Sequence, residues 1–126
     1  MNDRKDILKE KSFAFALRVV KLYQFLTLEK KEFVLSKQFL RSATSIGANI
    51  RESKNAESGM DFIHKLAIAQ KECDESLYWI ELLRASEFLT QKEFESVHAD
   101  GSELLKIIKS SILTKKQNLK KKKAGS

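Results

Sequence analysis

The sequence predicts an all-α fold, an antiparallel up-down-up-down four-helix bundle, on three observations. The 126 residues contain no Pro and only four Gly, so little in the chain breaks a helix. No segment shows the alternating apolar-polar rhythm of a half-buried strand. Apolar residues recur instead at helical spacing in four segments joined by short polar linkers, which return each helix beside the one before it. A chain of this length builds one core and not two. The expected organisation is a bundle over 1–114 and a basic C-terminal tail over 115–126.

The first helix is expected from near Asp6 or Ser12 to Leu28. Phe13, Ala16, Leu17, Val20 and Tyr23 form one apolar stripe. Phe15, Val19, Leu22 and Leu26 form a second, roughly opposite, and only a narrow strip with Lys11, Arg18 and Lys21 is polar. Apolar surface over roughly 200° exceeds what an edge helix of a monomeric bundle needs. The second stripe, Phe15, Val19, Leu22 and Leu26, is therefore assigned to a subunit interface.

After the charged linker 29–32, the second helix spans Leu35 to Ser53. Phe39, Ala43, Ile46 and Ile50 make its core seam, and Lys37, Arg41, Ala48 and Arg51 its outer side. Ser42, Ser45, Gly47 and Asn49 line the flanks, where such short side chains admit a close neighbour. Ser58 with Asp61 reads as the N-cap of a third helix, about Gly59 to Ser86. Its seam is Phe62, Leu66, Ala69, Cys73, Leu77, Ile80 and Leu83. A separate face carries Ile68, Glu72, Glu75 and Trp79, which fits an intersubunit patch in which the glutamates meet Arg41 or Arg51 of a neighbour and Trp79 is the anchor. Thr90 and Glu93 form a capping box for the fourth helix, whose seam is Phe94, Val97, Gly101, Leu104, Leu105, Ile108 and Ile112. Leu119 keeps that register, so the helix is expected to run on into the tail as a basic rod.

The stretch Gln38 to Ser53, with Gln38, Leu40, Arg41, Ala43, Ser45, Ile46, Asn49, Ile50 and Glu52 in place, resembles the central motif of the bacterial four-helix proteins encoded in 23S rRNA intervening sequences, the S23 ribosomal protein family. Phe62 and Ile68, Ala69, Glu75, Ser76, Leu77, Tyr78 and Trp79 extend the resemblance to roughly residues 12–112. Arg51 and Ser53 depart from the pattern, where Ala and Gly are usual. The resemblance implies a four-helix bundle assembled as a homopentamer. Through a relation to accessory variability proteins of diversity-generating retroelements, it also implies an accessory role beside structured RNA or a reverse transcriptase.

Charge directs the functional reading. Of the formal net charge of +7, six units come from Lys115, Lys116, Lys120, Lys121, Lys122 and Lys123, with no acidic residue after Glu103. Such a polycation binds nucleic acid through counterion release with little sequence preference. Copies of Arg18, Lys21, Lys37, Arg41, Arg51 and the tail on one rigid oligomer would bind by avidity. Aromatics do not interleave with basic residues as on a single-strand stacking platform, so contact with RNA is expected through phosphates and 2′-hydroxyls. Neither a phosphate loop nor a Cys/His cluster is present, and no nucleophile has a recognisable base. A non-enzyme without cofactor or metal is expected, with the alternative of a structural protein-protein oligomer that has no nucleic-acid role. A charged N-terminus, a lone Cys73 and no long apolar run point to a cytoplasmic chain without a membrane partner.

Overall fold

The computed structural model describes residues 6–125, and every regular element in them is helical. The first five residues of the expected bundle and Ser126 of the expected tail lie outside the described residues. The helices are α1 (Ile7–Leu28), α2 (Leu35–Ser53), α3 (Gly59–Ala85) and α4 (Gln91–Ala124).

Each helix begins where a side chain can satisfy its free N–H groups. Asp6 caps α1 by accepting from the Lys9 N–H at 3.1 Å, and Ser58 caps α3 by accepting from the Asp61 N–H at 3.0 Å. Thr90 and Glu93 form the expected reciprocal box: Thr90 Oγ1 accepts from the Glu93 N–H, and Glu93 Oε1 accepts from the Thr90 N–H at 2.8 Å. Thr90→Ala should therefore cost about 1 kcal/mol in urea unfolding, and an unchanged midpoint would show that the box contributes nothing. The second helix differs. Val34 at its N-cap makes no side-chain cap bond, and Glu32 from the preceding turn does that work. Lys31 and Glu87 turn the chain in the left-handed region, φ 56° and 67°, at the first and third connections.

Cross-helix contacts run in opposite senses along each neighbouring pair, so neighbours are antiparallel. Asp6 meets Lys54 and Ser12 faces Gly47 between α1 and α2. Arg41 meets Glu75 and Glu52 meets Lys65 between α2 and α3. Arg84 meets Gln91 and Cys73 meets Gly101 between α3 and α4. Lys11 meets Glu103 and Arg18 meets Asp100 between α1 and α4, the least closely packed pair.

Between them lies one core, in which Phe39, Ile46, Leu66, Ile80, Leu104 and Ile108 are sealed from solvent. The expected seams of α2, α3 and α4 all point into it, although Phe62, Phe94 and Leu105 sit half-buried at its edge. Short side chains set the close approaches: Ser42 Oγ and Ser76 Oγ lie 2.9 Å apart between α2 and α3. A Cβ on Gly47 would lie 3.8 Å from Ser12, in ordinary contact.

The two stripes of α1 are the reverse of the sequence-based assignment. Phe15, Val19 and Leu26 are buried in the chain's own core, with Leu22 half-buried against it, so this stripe is not free for another subunit. Phe13 and Leu17 stand outside, 64% and 47% exposed. The reason is Phe15, whose ring lies over Gly101 of α4, 3.4 Å from where a Cβ would be. A side chain much larger than alanine at position 101 would displace it.

Candidate nucleic-acid interface

The basic residues expected on the helices divide between α1 and α2. Arg18 turns toward α4, where it pairs with Asp100 at 2.6 Å and donates to Ser96 Oγ at 2.7 Å. Lys21, Lys37 and Arg51 are exposed and form no ion pair with a described residue. Lys37 and Arg51 stand near opposite ends of α2, about 21 Å apart at 1.5 Å per residue.

Arg41 is the centre of a cluster that the sequence assigned to two subunits and the fold closes within one. Its guanidinium donates to Glu72 Oε2 at 3.1 Å and to Glu75 Oε2, and Trp79 Nε1 donates to the same Glu75 oxygen at 3.3 Å. Glu72 foremost, then Glu75, holds the Arg41 guanidinium above its ordinary value. Ile68 and Trp79 are half-buried, Trp79 packs against the core, and Tyr78 beside it makes an edge-on ring contact at 5.0 Å. The glutamates thus find their arginine in the same chain, because the antiparallel register of α2 and α3 sets position 41 opposite 72 and 75.

Helix α4 is split in charge. Up to Glu103 it carries Glu93, Glu95, Asp100 and Glu103, and from Lys106 to Lys123 it carries eight lysines and no acidic residue. Thr114 therefore marks neither the change of charge nor a break in the helix, which passes through it to Ala124. Leu119 half-buries itself on the start of α3, where a Cβ on Gly59 would come within 2.6 Å of its Cδ2. Lys115 Nζ lies 5.3 Å from the centre of the Phe62 ring, in cation-π range. Lys116, Lys120, Lys121, Lys122 and Lys123 follow as exposed residues of an ordered helix. Sequence reasoning stopped at Lys115 and missed Lys106 and Lys109, although the last acidic residue, Glu103, already marked where the basic segment begins.

The fold also assembles a serine, a histidine and a carboxylate. Ser102 Oγ lies 3.4 Å from His98 Nδ1, and His98 Nε2 lies 3.0 Å from Glu81 Oε2. The order resembles an acyl-transfer triad, but Ser102 sits in the middle of α4, where its own turn spends its N–H groups on the helix and offers no oxyanion donors. The set ties α4 to α3. Cys73 is buried and donates to the Gly101 carbonyl at 3.4 Å; burial, with the charge of Asp74, pushes its thiol up to about 12, which leaves no nucleophilic thiolate near neutrality. Among the described residues no group of three or more His, Cys, Asp or Glu could hold a metal ion. Nor is any described helix long and apolar enough to cross a membrane.

Residues 4–110 match the profile of the 23S rRNA-intervening sequence proteins, and the chain belongs to that family. A solved structure from Bacteroides thetaiotaomicron VPI-5482, described as a protein with unknown function from the S23 ribosomal protein family, is 53% identical. It superposes with a TM-score of 0.84 over 85% of this chain and 96% of its own. No curated protein matches the chain.

Proposed function

We propose that this chain is a non-enzymatic, self-associating helical scaffold of the cytoplasm that holds structured RNA by its phosphates. The observation that carries the reading is the acid-free, lysine-rich second half of α4, ordered as helix and fixed to the body through Leu119. Such a surface gains affinity by releasing counterions from the nucleic acid and reads no sequence. The family's name, which ties its members to 23S rRNA-intervening sequences, agrees with an RNA ligand. Self-association is supported by the outer side of α1, where Phe13, Leu17 and Leu28 are exposed. In a homopentamer, five basic helices on one frame would bind by avidity.

The test is a titration of a labelled RNA duplex with the full chain between about 50 and 200 mM salt, alongside light scattering for subunit number. An affinity that falls by about a thousandfold across that range is expected from roughly six phosphate contacts. Absence of binding at the low end would overturn the nucleic-acid reading. It would leave the second one, a structural oligomer without nucleic acid, which is favoured by the pairing of Arg18 and Arg41 to carboxylates of their own chain.

A further inference from the structure

We infer that the nucleic acid lies against one flank of α4, along a lysine track on the α3–α4 seam made by Lys71, Lys109, Lys116 and Lys120. The inference rests on the nucleic-acid reading above and gives it a place. A groove of about 260 Å³ opens between the two helices, lined by Ala67, Gln70, Lys71, Asp74, Leu105 and Lys109. Lys71 from α3 and Lys109 from α4 both line it, with the small side chain of Ala67 between helices leaving it open. Lys116 and Lys120 follow Lys109 at seven and eleven residues, on the same side of the helix. At 1.5 Å per residue the α4 part of the track is about 16 Å long.

Three further observations make the track one-sided. The opposite flank of α4 has its charges satisfied, since Asp100 and Glu103 pair there with Arg18 and Lys11 of α1. None of the four track lysines forms an ion pair with a described residue, so their charge is available to a ligand. The Leu119–Gly59 contact fixes the rotation of α4 just where Lys116 and Lys120 need it. Toward the α3–α4 connection Asp74, and beyond it Glu81, end the track and would repel a phosphate chain continued that way. Four flexible ammonium groups in a row suit the phosphates of a duplex and have no means of distinguishing bases.

The experiment compares the full chain with K71A/K109A and with K121A/K122A, which removes the same charge from other sides of the helix tip. All are titrated with the RNA duplex over the salt series, and circular dichroism confirms equal helix content. The track requires K71A/K109A to weaken binding about tenfold at the lower salt and to flatten the log–log salt slope by more than one. It requires the tip variant, whose charges belong to the same basic helix, to lose clearly less affinity than K71A/K109A at the same salt. Duplex DNA of the same sequence should bind within about threefold of the RNA. Equal losses for the two variants, or a greater loss at the tip, would overturn the track and leave the basic helix as a diffuse polycation. If the parent chain binds no duplex, the track falls together with the nucleic-acid reading. Leu119→Ser adds a check that alters no charge: it should weaken binding, and unchanged affinity would show that the rotation of α4 does not matter.

Discussion

Gly101→Leu should destabilise the chain by about 3 kcal/mol or more, whereas Gly101→Ala should stay within about 1 kcal/mol of the parent. A Cβ at position 101 would lie 2.8 Å from Leu77 Cδ2 and 3.4 Å from Cε1 and Cζ of Phe15. For alanine, one rotatable methyl of Leu77 must move, and that cost is offset by the better helix propensity of Ala, about 1 kcal/mol over Gly. For leucine, three more carbons must enter a space already filled by Leu77 and Phe15, both buried. Helix α4 must then move away from α1 and α3, or Phe15 must leave the core. Urea unfolding with an unchanged slope measures both variants. Leucine tolerated at this position would mean that the three helices do not converge there.

The same contact explains which parts of the fold were legible. Helix α2 could be read from its residues alone, because Phe39, Ala43, Ile46 and Ile50 face one way and charged or small residues face the others. Helix α1 could not, since it is apolar on two sides. Its core face is decided by the fit of the Phe15 ring over Gly101, which sits more than eighty residues away in the sequence. Residue types could not carry that information. The Arg41 cluster was half-legible: the partners Glu72 and Glu75 were identified correctly, but their being in the same chain follows from the register of α2 and α3. The lysine track was hidden for a related reason. Lys71 looks like a solvated residue of α3 until antiparallel packing brings it to the groove that Lys109 also lines.

This rearrangement of α1 also changes where partners can bind. With Phe15, Val19 and Leu26 taken up inside, the apolar surface left for another copy is on Phe13, Leu17 and Leu28. The cations left for nucleic acid are mainly those of α4, because Arg18 and Arg41 are engaged. In the function proposed above, self-association and nucleic-acid binding would use different helices, so a variant should disturb one while leaving the other measurable.

Glu32→Gln should cost about 2 kcal/mol near neutral pH, and the gap to the parent should narrow in acid. No cap could be read for α2 from the sequence, where Val34 and Leu35 open it, yet three N–H groups at its start have a side-chain acceptor. Glu32 Oε1 accepts from the Ser36 N–H at 2.7 Å, and Oε2 accepts from the Val34 and Leu35 N–H groups at 3.1 and 3.0 Å. The Ser36 hydroxyl donates back to the Glu32 carbonyl at 2.8 Å. A buried carboxylate at the positive end of a helix, accepting three N–H bonds, is a charge-assisted cap. Glutamine keeps one oxygen but turns an NH₂ group toward the same donors, leaving buried N–H groups unpaired. A loss of about 2 kcal/mol corresponds to roughly 6–10 °C in a chain of this size. Burial pushes the Glu32 carboxyl up, but the N–H bonds from Leu35, Ser36 and Val34 outweigh it and hold the group below its ordinary 4.5. The cap's pH-dependent stabilisation is therefore fully present above about 4.5 and is lost as pH falls through the lower, folded-state value. Thermal unfolding of both chains from about pH 7 to pH 3 checks the sign. A gap that stays constant or widens in acid would show that the charge of Glu32 does not cap α2.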